Sequence, residues 1–255
     1  MYDKIVPVIL TLNEESNLNR TLSKLKWARS IVVLDSHSDD GTEQIANSFS
    51  NVLFRQRSFD CLANQWNAGI ELAAQKGDWV LALDADYLLS DDFVDELGGL
   101  KPDSGVAGYE AHFIYCIDGR PLRASLYPPH TVLFRAELGQ YVQDGHAHRL
   151  LLLDSTRRLI HPIFHDDRKS WERWYVNQLG YARLEAEKIN RSSWQTLSMS
   201  GKLRRIPLLS IVLPPVYLLL CKGLWRNGIR GLKYVRQRLI AEWLIQKALW
   251  FRAFE

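Results

Sequence analysis

The chain has 255 residues, 47% of them apolar, enough for one sizeable core or for a domain with an appendage. The net charge of +3 is unevenly spread: residues 202–255 hold eleven Lys/Arg against two acids, and residues 1–201 are left with a balance of −6. Cys61, Cys116 and Cys221 are widely spaced with no CxxC pair, which fits neither a disulfide framework nor a zinc ribbon and points to a reducing compartment.

The opening stretch "MYDKIVPVILTLNEE" lacks the pattern of a cleavable signal, because its apolar run is short and leads into acids. Residues 4–12 read as a buried strand, with Pro7 expected near its start or at an unpaired position. Leu18, Leu22 and Leu25 predict a helix over 16–28. "SIVVLD" (30–35) is a second strand, and "DDGTEQIANSF" opens a helix with Asp39 or Asp40 as its cap. "NVLFRQ" is a third strand, 62–76 a helix and "DWVLALD" a fourth strand. Short apolar strands alternating with helices predict βαβ units and a parallel sheet, whose ligands lie beyond the carboxyl ends of its strands. Asn13, Glu14, Glu15, Asp35, Asp84 and Asp86 all fall at such ends.

After residue 100 the pattern alternates, with a hairpin signal at Asp118-Gly119 and strands in "TVLFRAEL" and "RLLLLD". Residues 168–189 read as a helix rich in Trp, Tyr and Leu. Residues 206–225 are strongly apolar but broken by Pro214-Pro215, so a re-entrant or interfacial hairpin is expected rather than one spanning helix. Over 228–252 apolar residues interleave with basic ones, the composition of an interfacial helix. The competing reading is a helix pair packed on the rest of the chain or on a second copy, a homo-oligomer through the C-terminal helices.

Two carboxylates about 4 Å apart repel by about 4 kcal/mol at an effective dielectric near 20. A divalent cation between Asp84 and Asp86 removes that cost and can grip a diphosphate leaving group. The alternative is a pair of solvated loop or capping acids. The set "TLNEE" (11–15), "VVLDSHSDDGT" (32–42), "NQWNAGIELA" (64–73) and "LALDADY" (81–87) resembles family 2 of the inverting glycosyltransferases, and the likeness covers residues 4–170. The resemblance implies a GT-A fold, a Rossmann-like, mostly parallel sheet flanked by helices. It implies that Thr11, Asn13, Glu14, Asp35 and Asn67 hold the nucleotide, that Asp84 lies near the ribose or donor sugar, and that Asp86 is the metal ligand. In the same family an acid near "YVQDGHAHRL" takes the acceptor's proton, which assigns Asp144, although Gln143 stands where an acidic pair is common; the bland reading of Asp144-Gly145 is a turn. His165 resembles the late histidine that some GT-A enzymes add to the metal shell, and Arg168 and Lys169 are candidates for diphosphate oxygens.

The sequence thus predicts a GT-A catalytic domain over 1–200, with a nucleotide-binding half (1–100) and an acceptor-facing half (100–165), and a basic, membrane-associating helical tail over 201–255. The expected activity is Mg²⁺- or Mn²⁺-dependent inverting transfer of a sugar, glucose being one candidate, from a nucleotide diphosphate, UDP foremost. The expected acceptor is a hydroxyl of a glycan or lipid-linked molecule in cell-envelope polysaccharide or lipopolysaccharide synthesis, as in the lipopolysaccharide-core glucosyltransferase-like members that the chain resembles. The expected location is cytoplasmic, peripheral or monotopic on the inner face of an anionic membrane. The tail carries no nucleic-acid motif. A non-catalytic nucleotide-sugar-binding or assembly protein of the same fold is the competing reading, motivated by Gln143.

Overall fold

Side chains alternate across a strand, so an apolar run buried on both faces feeds two cores at once. A computed structural model describing residues 1–144 and 147–251 shows this for β1 (Ile5–Thr11). Ile5 and Ile9 enter one core, with Leu18, Leu22 and Leu25 of the segment containing α1 (Leu18–Ser23). Val6 and Val8 enter the other, with Ala63, Trp66, Ile70 and Ala73 of α3 (Leu62–Ala74). Between them lie β2 (Ile31–Asp35), α2 (Thr42–Asn47) and β3 (Val52–Gln56). Next come β4 (Trp79–Asp84), β5 (Tyr87–Leu89), α4 (Asp91–Gly99), β6 (Val106–Ala111), β7 (Phe113–Ile117) and β8 (Arg120–Pro121). The chain continues through β9 (His130–Arg135), β10 (Gly139–Asp144), β11 (Ala147–Leu152), β12 (Ser155–Arg158) and β13 (Ile163–His165).

The seven-stranded sheet has the order β12-β6-β9-β4-β1-β2-β3, and β4, β1, β2 and β3 run parallel. Only β9 disturbs the direction, antiparallel to both β4 and β6. The chain leaves β1 toward β2 on one side and returns to β4 on the other, so the switch of strand order lies at β1/β4. That is where open α/β sheets bind ligands. A smaller sheet places β13 between β5, antiparallel, and β7, parallel. Gly69 lets α3 approach β1 closely: a Cβ there would stand 2.6 Å from Val8 Cγ1.

Several local expectations are refined. Pro7 lies in mid-strand opposite Leu81, but the pairing with β2 begins only at Val8, so it precedes that ladder. The helix expected over 16–28 is α-helical for six residues and continues as i→i+3 turns that still bury Leu25 and Ala28. The cap of α2 is Gly41; Asp40 instead accepts from the Thr42 amide at 3.0 Å. Asp118 and Gly119, at φ 51° and 73°, make the expected hairpin turn.

Two compact units result. Residues 1–116, 127–143 and 148–168 form the first; 117–126 and 169–251, with the strand ends at 144 and 147, belong to the second. The second unit contains α5 (Trp171–Arg191), α6 (Met199–Arg204), α7 (Pro207–Val216) and α8 (Gly228–Phe251). Ala182 and Ile189 of α5 pack with Leu244 and Ile245 of α8, which is why α5 groups with the C-terminal helices. Arg204 ties the bundle, donating to Glu185 at 2.7 Å and to both carboxylate oxygens of Glu242 at 2.6 and 2.9 Å. Burial works to lower the pKa of this guanidinium, but the two carboxylates prevail and raise it.

Pro214 and Pro215 withhold two amide donors, and the helix runs on as a π-turn over Tyr217–Cys221. A 3-10 turn, Leu224–Asn227, then leads into α8. Among the described residues no single helix is long and apolar enough to cross a membrane; the pair Pro207–Cys221 and Leu224–Trp250, bent by 72°, meets the length and composition of a span only together. The expected break is therefore an elbow, and it falls at Lys222-Gly223 rather than at Pro214-Pro215, which lie inside α7. At Gly231 a Cβ would overlap the Leu224 carbonyl.

Arg204→Ala should leave two largely buried carboxylates without their cation. It is expected to cost about 3 kcal/mol, read as a lowered urea midpoint.

Candidate active site

The β-ladders align three carboxyl ends. Thr11 stands opposite Asp35, and Leu10 opposite Asp84. Asp35 is fully buried. Its Oδ1 accepts from Thr11 Oγ1 at 2.8 Å and from Ser38 Oγ; its Oδ2 accepts from the Ser38 amide at 2.8 Å and, at 3.5 Å, from Gln56 Nε2. Four donors thus share its two oxygens, that of Gln56 at the longest distance. Asn13 adopts φ 58°, a region that Asn tolerates. Its amide donates to Ser38 Oγ at 2.8 Å and its Oδ1 accepts from the Asp39 amide at 2.9 Å. The Glu14 amide donates to Thr42 Oγ1 at 2.8 Å. The loops after β1 and β2 are therefore stapled together. Burial tends to raise the Asp40 pKa, but bonds from Thr42 and from the Glu15 amide stabilise its carboxylate and the net direction is down.

Asp84 ends β4 half-buried, and Asp86 follows Ala85 at 7% exposure. Tyr87 then opens β5, whose antiparallel ladder sets it opposite His165 at the end of β13. This pairing brings His165 Nε2 to 3.1 Å from Asp86 Oδ2. The rings of Tyr115, Tyr127 and Tyr87 present edges around the imidazole at 4.6, 4.8 and 5.5 Å. Burial would lower the His165 pKa, but the charge and hydrogen bond of Asp86, reinforced by Asp84 and Asp167, raise it. No group of three or more His, Cys, Asp or Glu that could hold a cation unaided occurs among the described residues. The Asp86–His165 pair still fits one: octahedral bonds of about 2.1 Å place neighbouring ligands about 3.0 Å apart, and oxygens of a diphosphate or water complete such a shell.

Asn67, expected at the nucleotide, spends both polar atoms on β10. Its Nδ2 donates to the Tyr141 carbonyl at 3.0 Å, and the Tyr141 amide donates to its Oδ1 at 2.8 Å. Gln143 Oε1 accepts from the Ala63 amide at 3.2 Å. Asp144 is the last residue of β10; its side chain, and His146 altogether, lie outside the described residues. His148, on β11, packs against Tyr141 and Trp66 at 4.9 and 5.8 Å. Burial, with a small contribution from His130, pushes its pKa down to about 4, so it is neutral at pH 7.

The sequence reading missed a polar network behind the acids. Asn17, fully buried, donates from Nδ2 to Glu14 Oε2 at 3.0 Å and to Asp167 Oδ1 at 2.9 Å. Its Oδ1 accepts from Arg20 Nη2 at 2.7 Å and from the Arg168 amide at 2.9 Å. Arg20 also donates to Asp166, to Oδ2 at 2.7 Å and to the carbonyl at 2.8 Å. Arg168, expected at a diphosphate, turns its Nε to Asp166 Oδ2 at 2.9 Å. Thr21 Oγ1 donates to the Ala85 carbonyl at 2.6 Å. The one sequence signal for this set is the i, i+3, i+4 spacing of Asn17, Arg20 and Thr21, which shares a helix face.

The family model for glycosyl transferase family 2 matches residues 8–137. No curated protein matches the chain. Among solved structures, residues 1–349 of S. aureus TarS in complex with UDP-GlcNAc superpose with a TM-score of 0.50 at 14% identity, covering 99% of this chain and 92% of that one. Glucosyl-3-phosphoglycerate synthase from Mycobacterium tuberculosis in complex with Mn²⁺, UDP and phosphoglyceric acid gives 0.46 at 17%, covering 74% and 78%. At these identities the likeness to TarS speaks to the fold. The fold observed, an α/β sheet with four adjacent parallel strands and acids at or just beyond the carboxyl ends of three of them, is consistent with GT-A. With half of its length matched by the family model, the chain belongs to glycosyl transferase family 2 and is a glycosyltransferase.

Proposed function

We propose that the chain is a metal-dependent inverting glycosyltransferase that moves a sugar from a UDP-sugar to a hydroxyl of a glycan or lipid-linked acceptor, in assembly of cell-envelope polysaccharide or lipopolysaccharide. The observation that carries the reading is the Asp86–His165 pair, 3.1 Å apart beyond the strand that ends in Asp84. Thr11, Asn13 and Glu14 line the nucleotide side, and Asp35 keeps their loop in place. Asp86 and His165 would hold Mg²⁺ or Mn²⁺, which when bound supplies positive charge to the departing diphosphate. Asp144 is the base: its carboxylate takes the acceptor proton as the hydroxyl oxygen bonds to the anomeric carbon and the bond to UDP breaks on the opposite face. The transition state is oxocarbenium-like and one displacement inverts the centre. Asn67 holds the strand that ends in Asp144.

The second unit supports a cytoplasmic-face membrane partner. Leu208, Leu209, Val212, Leu213, Val216 and Leu220 form an exposed apolar row along α7 and the π-turn. Exposed Arg205 precedes the row, and exposed Lys222 and Arg226 follow it. Apolar residues bounded by cations match the boundary of an anionic leaflet, whereas a second copy meeting the same row would bring like charges together.

Asp144→Asn should lower UDP release in the presence of acceptor at least a hundredfold, with UDP binding by calorimetry changed less than threefold. Asp86→Ala should remove the extra thermal stabilisation that Mn²⁺ adds to the UDP-bound protein; an undiminished shift would exclude Asp86 as a ligand. The triple change Leu208→Glu, Leu213→Glu, Leu220→Glu should abolish co-sedimentation of the full chain with anionic vesicles. Unaltered sedimentation would assign the row another role.

A further inference from the structure

We propose that Arg20 is a positioning residue for the Asp86–His165 corner, acting through Asp166; this rests on the reading of that corner as the cation site. Arg20 lies on the helix face opposite the leucines that fix α1 in the core. Its guanidinium makes three bonds: to the Asp166 carboxylate, the Asp166 carbonyl and Asn17 Oδ1. With its charge matched by Asp166 and these donors committed, Arg20 serves the protein rather than a substrate phosphate.

Asp166 is thereby held at its amide, its carbonyl and one carboxylate oxygen. Arg20 fixes its carbonyl and, with Arg168, its carboxylate, while its amide donates to the Asp86 carbonyl at 3.0 Å. His165 precedes it directly. The next residue of the helix, Thr21, fixes the Ala85 carbonyl at 2.6 Å, next to Asp86. A six-residue helix therefore grips both segments whose meeting sets the 3.1 Å separation of Asp86 and His165. Through Asn17 it also reaches Glu14, so the nucleotide loop and the cation corner share one support. Ligand pairs lose affinity when their supports shift by fractions of an ångström, and outer partners of metal ligands commonly change affinity 10–100-fold. A lysine would not substitute, because one ammonium cannot serve a carboxylate, a carbonyl and an amide oxygen in the planar fork that arginine presents.

The test is Mn²⁺ binding to the full chain with saturating UDP, followed by electron paramagnetic resonance, with hydrogen exchange at the Asp166 amide as a second readout. Arg20→Gln should raise the Mn²⁺ Kd at least tenfold and speed that exchange, and Arg20→Lys should restore neither. In steady state the donor KM should rise while the acceptor KM stays within twofold. If Arg20→Gln loses its cooperative unfolding transition, Asp166→Asn, which keeps the shape and removes the charge, carries the same test. A wild type that binds Mn²⁺ beside a folded variant with a Kd within twofold overturns this inference alone. A wild type that takes up no Mn²⁺ overturns the cation reading and this inference with it.

Discussion

An imidazole and a carboxylate 79 residues apart in sequence meet at 3.1 Å because β5 pairs antiparallel with β13, and the chemistry proposed for the chain depends on that pairing. Three residues of β5 are too few to be stable alone. They are held by what surrounds them: Tyr87 and Leu89 are buried in the main core with Phe113 and Ile163, and the loop before them is bonded to α1. The corner is thus a product of tertiary packing. Its precision comes from burial on one side and hydrogen bonds on the other.

The larger sheet places that corner. Period-two alternation in β1, β2 and β4 supplies apolar side chains to both faces, so helices must cover both. A doubly covered parallel sheet exposes its carboxyl ends in a crevice where the strand order reverses, so acids from strands far apart in sequence come to one rim. The buried Asp35 is bonded on both oxygens within the protein. Sharing its oxygens among Thr11, Ser38 and Gln56, it fixes the shape of the loop that carries Asn13 and Glu14.

Legibility in the sequence followed locality. Strands β1, β2 and β4 could be read because each is an apolar run that stops at a polar residue, and the acids after β4 announce themselves. Asn67 was placed in a meaningful segment, yet its partner is the backbone of Tyr141, 74 residues away, which no spacing rule reveals. Arg20 and Asp166, 146 residues apart, were invisible for the same reason. In α1 the apolar spacing persisted beyond the α-helix because i→i+3 turns still bury Leu25 and Ala28. The prolines led to the expectation of a break at 214–215, but the helix runs through them and the bend falls at Lys222-Gly223, where the left-handed backbone of Gly223 is announced by no apolar pattern.

That bend has its own origin. Beyond the proline pair, Gly231 lies against the Leu224 carbonyl so closely that the smallest side chain would collide with it. The 72° bend itself falls earlier, at Lys222-Gly223, where Gly223 takes the left-handed conformation at φ 69°, and the Gly231 contact lies wholly within the second arm. The elbow thus has a glycine on each side of its short turn: one supplies the reversal that only glycine makes cheaply, the other seats that turn against the start of α8, so a methyl at position 231 would strain the second arm's own entry and not the joint.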